Sequence, residues 1–398
     1  MRFSFLVSLL PLVAAVPAVR KRAVPAPILA PRGEPQDLVE GSYIVKFKDG
    51  TVLTDLEEAY KMLEHDPSSV YSDGVFTGFA GEMSSDSLDA IRNHPEVEYI
   101  EQVSMGSVQG YLSEGQAPWG LGRISARGPG NPDYVFDESS GEGTCSYIID
   151  SGIDTNHPDF EGRATYLGRF GPGPDYDDCQ HGTHVAGTVG SRTFGVAKKT
   201  HLYGIKVLSD MYRNGSCVGS SADMVKAVNV VARDAAGRDC PKGVVVNMSL
   251  GCPYSRALND AVDNLVRRGI FVAVAAGNAN RTASDISPAS AGGACNVGGS
   301  DYYDNRYIQS NWGSSVDISA PAVNIASTLP GGGWGGMTGT SMASPHIAGL
   351  AAYLAAKDGT SGSELCKSIQ QLAMKNAPIN NQVQDTTNLI AFNDNPYV

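Results

Sequence analysis

The sequence predicts an α/β protein: a parallel sheet covered by helices on both faces, preceded by a small α+β unit. Three observations predict it. From about residue 112 onward, short apolar runs alternate with stretches of helical period, and strands apolar on both faces need helices above and below them. Ahead of that region lie five short elements in a different arrangement. Finally, 398 residues, 42% apolar and only 18% charged, are too many for one ordinary domain but suit a large domain plus a small one.

At the N-terminus, MRFSFLVSLLPLVAAVPAVR has a positive start, a short apolar core and small residues at Val13-Ala14-Ala15 and Ala18. That is a secretory signal pattern, placed over 1–18, and it is too short to span a membrane. A Pro/Ala-rich linker over 19–40 follows, carrying the basic cluster Arg20-Lys21-Arg22, a candidate processing point. Residues 41–108 read as strand (SYIVKF), helix (LEEAYKMLEH), strand (GVFTGFAGEM), helix (DSLDAIRNH) and strand (VEYIEQV). The turn-rich YLSEGQAPWG then marks an exposed boundary.

The large domain is expected over 112–398. Its strands are CSYIID, HLYGIKVL, GVVVNMSLG, IFVAVAAGN, ACNVGGS and VDISAP; its helices include SSADMVKAVNVVARDAAG, SRALNDAVDNLVRRG and TSMASPHIAGLAAYLAAK. GGGWGG at 331–336 reads as a low-complexity tract, and no internal repeat is present. In such parallel sheets the ligand crevice lies beyond the carboxyl ends of the strands.

Net charge is -12, and nine Lys/Arg against sixteen Asp/Glu up to residue 111 put about -7 of it in the first part. An acidic chain without a basic patch argues against nucleic acid and polybasic lipid surfaces as partners. No later segment offers about 20 uninterrupted apolar residues, so no membrane anchor is expected. Seven cysteines in an exported chain read as disulfides plus one odd thiol.

Three stretches place a reactive side chain where a strand or loop meets a helix or turn. Asp150 ends CSYIID, His181 opens QHGTHVAGTVGS, and Ser341 begins the helix in GTSMASPHIAG. A hydroxyl at a helix start lies beside unpaired N–H groups and the positive end of the dipole, which favours a developing oxyanion. Taken singly, these residues have ordinary readings: a helix cap, a turn former and a packed imidazole. Taken together, Asp, His and Ser in that chain order form one of the known arrangements of a nucleophile, its base and the base's orienting carboxylate.

Rival bases and a rival metal reading are weaker. His346 follows Ser341 by five residues on one helix and so points about 140° away. His184, one turn after His181, is the nearer competitor and is expected to pack behind it. Cys179, His181 and His184 could be read as metal ligands, but no second cluster supplies the remaining ligands at zinc spacing.

With YIIDSGID, HGTHVAGTVGSRTFGVAKKT, NMSLG, VAVAAGN and GTSMASPHIAGLAAYL in order, the chain resembles the subtilisin-like serine peptidases, and within them the proteinase K group of secreted fungal enzymes. The resemblance runs from Ala117 to the end, and the preceding unit is similar to the family's inhibitory, ferredoxin-like prodomain. It implies a subtilisin-like parallel sheet. Ser341 is then the nucleophile, His181 the general base and Asp150 the carboxylate that sets the imidazole tautomer. Asn278 donates with the Ser341 N–H to the oxyanion.

The same resemblance implies a substrate peptide held between Val218-Gly219-Ser220 and Ser249-Leu250-Gly251. Its primary pocket is walled by Ala275, Ala276, Gly277 and Gly251, which favours apolar or aromatic side chains. It pairs Cys145 with Cys240, Cys295 with Cys366 and Cys179 with Cys217, which leaves Cys252 over. No catalytic cofactor is implied. A structural calcium is implied at Asp317 with the carbonyls of Gly292 and Ala294, while a second family site is lost at Ala377. The implied partners are protein and peptide substrates and the chain's own prodomain, on a monomer.

Gln180 departs from the family by standing where glycine usually precedes the base. Of the sequons at Asn214, Asn247 and Asn280, the one at Asn247 falls within a buried strand, so Asn214 and Asn280 are the candidate glycan carriers. The alternatives are an α/β-hydrolase esterase, which needs G-x-S-x-G and the order Ser, Asp, His, and an inactive binding protein, which would have lost a member of the constellation.

Overall fold

The computed structural model describes residues 24–30, 38–72, 75–104, 110–210, 217–374 and 378–398. Four expectations therefore lie outside the described residues: the signal over 1–18, the basic cluster Arg20-Lys21-Arg22 of the linker, Asn214 and Ala377. The chain forms two compact units, Met1–Val108 and Gln109–Val398.

In the first unit, β1 (Ile28–Leu29), β2 (Leu38–Phe47), α1 (Leu53–Tyr60), β3 (Ser69–Tyr71), β4 (Gly78–Glu82), α2 (Ser85–Arg92) and β5 (Val97–Ser104) follow in chain order. The sheet order is β1-β5-β2-β4-β3, with β2 antiparallel to both β4 and β5. The last four strands with their two helices make the ferredoxin-like α+β pattern. Ser84 caps α2 by accepting the Ser87 N–H. Val45, Phe47 and Phe79 from the sheet pack with Leu56 and Ile91 from the helices. Ile44, Tyr71, Phe76 and Tyr99 line a shallow hollow of about 300 Å3. Two expectations change: the linker contributes β1, and the run GVFTGFAGEM is strand only from Gly78, after a separate β3.

The second unit adds β6 (Tyr111–Glu114), α3 (Trp119–Ile124), β7 (Tyr134–Asp137), β8 (Thr144–Asp150), β9 (Ala164–Arg169), α4 (His181–Gly190), β10 (His201–Lys206), α5 (Ser221–Asp234), β11 (Gly243–Met248), β12 (Cys252–Pro253), α6 (Arg256–Arg267), β13 (Phe271–Ala275), β14 (Ile286–Ser287), β15 (Cys295–Ser300), β16 (Ile318–Pro321), β17 (Ile325–Leu329), β18 (Gly333–Met337), α7 (Thr340–Asp358) and α8 (Glu364–Ala373). Seven strands pair in parallel in the order β16-β15-β13-β11-β8-β10-β9. The strand order turns at β8 and β11, so a crevice opens at their carboxyl ends.

Alternation along β8 explains the two layers. Ile148 joins a core with Val185 and Val189 of α4 and Ile347 and Leu350 of α7. Tyr147 and Ile149 join the opposite core, with Met224 of α5 and Leu258 of α6. Helix α7 is apolar all round because 16 of its 19 residues are buried, the pattern of a central rather than a surface helix. Among the described residues, no helix is long and apolar enough to cross a membrane.

Three local expectations change here as well. YLSE, read as turn, is β6 paired with β7. GGGWGG supplies much of β18, the second arm of a hairpin with β17. The edge strand β9 is half exposed and lacked the apolar run that marked the others.

Candidate active site

Asp150 is the last residue of β8 and its side chain is fully buried. Its Oδ1 accepts the Ser151 N–H at 2.7 Å and lies 2.7 Å from His181 Nδ1. His181 is the first residue of α4, and its imidazole is 23% exposed. Burial disfavours the imidazolium. The charge of Asp150, its hydrogen bond and the charge of Asp177 together outweigh that, and His181 sits above the usual 6.5.

Ser341 is the second residue of α7, and its Oγ donates to the Ser249 carbonyl at 3.2 Å. Pro345, four residues on, has no N–H to give the Ser341 carbonyl. Ser249 Oγ fills that role, donating to Ser341 O at 2.7 Å. Asn247 extends the tie, donating to Ser249 Oγ and accepting from Ser344 Oγ. The buried sequon asparagine therefore clamps β11 to α7.

His181, Ser341, Val218, Gly219, Ser249, Leu250 and Gly251 line one cavity of about 250 Å3, together with Leu208, Cys217 and Met224. The two rival histidines are occupied elsewhere. His184 is buried against the Ile325 carbonyl, and burial pushes it down to about 4. His346 is buried against the Met342 carbonyl and is likewise pushed down to about 4. Neither is available to the Ser341 hydroxyl.

Asn278 lies outside that cavity lining, exposed on the loop after β13. Its Oδ1 accepts from Thr340 N–H at 2.8 Å and from Thr340 Oγ1 at 3.1 Å. The Thr340 hydroxyl in turn accepts the Gly277 N–H at 3.0 Å. With its oxygen held, the Asn278 amide keeps its NH2 group free of any acceptor among the described residues. Asn311 braces the same loop, accepting from the Ala279 and Arg281 N–H groups and donating to the Ala276 carbonyl.

The other site residues divide. Val218 uses both main-chain groups on Ser209, at 3.0 and 2.9 Å. Ser220 caps α5. Of that trio only Gly219 keeps an unpaired main chain among the described residues. Ala275 and Ala276 are buried, at 4% and 0% exposure, and back the loop without lining the cavity. At Gly277, φ is +99° and a Cβ would stand 2.5 Å from Asn311 Nδ2 and 2.6 Å from Ile286 Cδ1, so only glycine fits. A Cβ on Gly251 would meet the same Ile286 methyl at 3.6 Å. Ile286 therefore stands between the two segments expected to wall the primary pocket.

The three disulfides are Cys145–Cys240, Cys179–Cys217 and Cys295–Cys366. Cys252 is free and half-buried, and burial pushes its thiol up. Gln180 holds the left-handed conformation, φ 65°, which glycine adopts more readily. Asn280 is exposed.

Asp317 precedes β16 and accepts the Asn296 N–H at 2.8 Å. Burial raises its carboxyl despite that bond, and among the described residues no cationic side chain pairs with it. Gly292 and Ala294 lie on the segment entering β15, close to Asn296. A carboxylate largely withdrawn from water and lacking a counter-charge fits a hard cation. The neighbouring Cys295 and Cys366 sulfurs are joined to each other and are not thiolate ligands.

Residues 141–393 match the model of the subtilase family, and residues 42–105 match that of peptidase inhibitor I9. Over 397 residues the chain is 46% identical to the subtilisin-like serine protease AsES of Sarocladium strictum, covering 100% of both. It is 46% identical to the cuticle-degrading protease of Metarhizium anisopliae, over 99% of this chain and 100% of that one. Proteinase R of Parengyodontium album is 44% identical over 99% of each. The crystal structure of a cold adapted subtilisin-like serine proteinase superposes with a TM-score of 0.62 at 36% identity, over 70% of this chain and 98% of that one.

Proposed function

The chain belongs to the subtilase family of serine proteases and carries a peptidase inhibitor I9 domain ahead of its subtilase domain, and from that premise we propose a secreted endopeptidase made as a self-processing zymogen with Ser341, His181 and Asp150 as its triad. The observation that carries this reading is the 2.7 Å contact of His181 with buried Asp150, in a cavity that His181 shares with Ser341. His181 takes the hydroxyl proton as Ser341 attacks the scissile carbonyl, and Asp150 steadies the imidazolium. The oxyanion receives the Ser341 N–H and the Asn278 amide. Collapse expels the amine, which takes its proton from His181. Water then releases the acyl group by the same route.

A fluorophosphonate tests the assignment: mass mapping is expected to find it on Ser341, and labelling of any other residue overturns the reading. Order of motifs argues against an esterase, since the serine comes last and lies in GTSMA.

The first 18 residues would direct export, and the unit over 41–108 would inhibit until the chain is cut near residues 105–112. Extended substrate would pair with the main chain at Gly219 and along Ser249-Leu250-Gly251. Small wall residues and the Ile286 methyls favour an apolar or aromatic side chain before the cleaved bond. Sequencing the fragments of a denatured protein checks this. Asp317, with the carbonyls of Gly292 and Ala294, would hold a structural calcium; no catalytic step passes through it. Asn280 would carry a glycan.

Two further results are expected. Only neutral His181 accepts a proton, so kcat/KM rises with pH as the imidazole deprotonates. Because the folded His181 lies above 6.5, the midpoint of that rise falls above 6.5 as well. A flat profile between about pH 5 and 8 contradicts the assignment. Cys252 directly follows Gly251, so a bulky maleimide there is expected to slow peptide turnover. Its raised thiol makes labelling faster at higher pH. Full turnover after confirmed modification rules this out.

A further inference from the structure

Beside the triad lies a second buried carboxylate that the mechanism above does not use. Asp177 is 5% exposed and accepts four hydrogen bonds. Oδ1 receives Ser151 Oγ at 2.7 Å and the Cys179 N–H at 3.2 Å. Oδ2 receives the Thr183 N–H at 2.8 Å and Thr183 Oγ1 at 2.7 Å. Ser151 Oγ also accepts the Gly182 N–H at 2.8 Å.

The residues so gathered are the sequence neighbours of the proton-relay pair. Ser151 follows Asp150, and Gly182 and Thr183 follow His181. Asp177 thus joins the end of β8 to the first turn of α4 at the point where each presents its reacting side chain. Contact there is close: a Cβ on Gly182 would lie 2.1 Å from the Gly152 carbonyl. Any slip of the helix start against the strand end therefore alters the Asp150 to His181 contact directly. A carboxylate is also suited to the position, because it meets the unpaired N–H groups and positive dipole of a helix N-terminus.

We propose that Asp177 is a positioning residue of the protease: through Ser151 and Thr183 it holds the His181 imidazole in register with Asp150, and its fixed negative charge favours the imidazolium that forms during acylation. Among the described residues, the charged and titratable groups around His181 are few. Asp150 faces it from β8 and Asp177 from the preceding loop. His184 lies one turn on, kept neutral by burial. Behind Asp150, Lys206 is paired with Asp178, which Ser209 also binds. From α7 come the Ser341 hydroxyl and buried His346. Removing the Asp177 charge therefore leaves Asp150, among the described residues, as the one carboxylate acting directly on the ring.

The inference rests on His181 being the base, and the experiment separates the two. Full-length chain carrying Asp177→Asn or Ser151→Ala is compared with wild type, each normalised to active sites by fluorophosphonate titration. Asp177→Asn keeps the size but loses the charge and one of the two acceptor oxygens that Ser151, Cys179 and Thr183 share. It is expected to lower kcat about ten- to a hundredfold, as small misplacements of a reacting group do, with KM within about twofold. The acid limb of its kcat/KM profile should move to lower pH. Ser151→Ala keeps the charge and removes the bridge to Gly182, so kcat should fall while the acid limb stays in place.

Wild-type kcat in either variant overturns the proposal, as does a lowered kcat in Asp177→Asn with an unmoved acid limb. Should Asp177→Asn fail to fold, Ser151→Ala decides by its kcat alone. A wild-type profile with no acid limb would sink the His181 assignment itself, a different failure from an unmoved limb in the variant.

Discussion

Ser341→Ala is expected to lower kcat about a millionfold, the loss that follows removal of the nucleophile from a subtilisin triad, and to accumulate as uncut precursor. The structure isolates the chemical effect from folding. Among the described residues the only hydrogen bond of the hydroxyl is the 3.2 Å one to the Ser249 carbonyl, and the Ser341 carbonyl bond to Ser249 Oγ survives the change. The helix should therefore form as before. Residual turnover above water would come from the oxyanion donors and from substrate held in the cleft. Normal maturation of the variant in a protease-free host contradicts self-processing, and retained peptidase activity contradicts the nucleophile.

Much of this arrangement is legible along the chain because the residues proposed to react sit at element boundaries. Asp150 ends a continuous apolar run, and Ser341 begins a long stretch of small residues, so strand end and helix start can be placed without knowing the fold. The two helix layers follow similarly from strands that are apolar on both faces. What the sequence hides is support from far away. Thr340 lies 62 residues from Asn278, and its N–H and hydroxyl both hold the oxygen of that amide. Asn311 braces the same loop from 35 residues beyond Ala276. Ile286, which stands between the segments flanking Gly251 and Gly277, carries no local mark of that place.

Elements are missed for a related reason. β9 is a half-exposed edge strand with mixed residues, and β18 is glycine-rich, so neither shows the periodicity that burial imposes on the central strands. Asp177 is the instructive case. It lies four residues before His181 in the acidic run DYDD, where solvation is the ordinary expectation. Only the fold, by bringing Ser151 and Thr183 to it, turns that acid into an interior partner.

Asn278→Ala is expected to lower kcat by about 100- to 1000-fold, or roughly 3 to 4 kcal/mol, as removal of the corresponding donor from a subtilisin does. KM should change little, because the donor serves an oxygen that carries full charge only beyond the ground state. Alanine alone leaves a doubt over cause, since it also strips the Thr340 N–H and hydroxyl of their acceptor, which costs about 1 kcal/mol of stability. Asn278→Asp resolves it. Aspartate keeps an oxygen for Thr340 at 2.8 and 3.1 Å but turns the donating face into an acceptor. If donation to the oxyanion is what matters, aspartate should lose at least as much kcat as alanine while melting at a higher temperature. If the loop bracing is what matters, aspartate should recover most of the activity, and the oxyanion role of Asn278 falls.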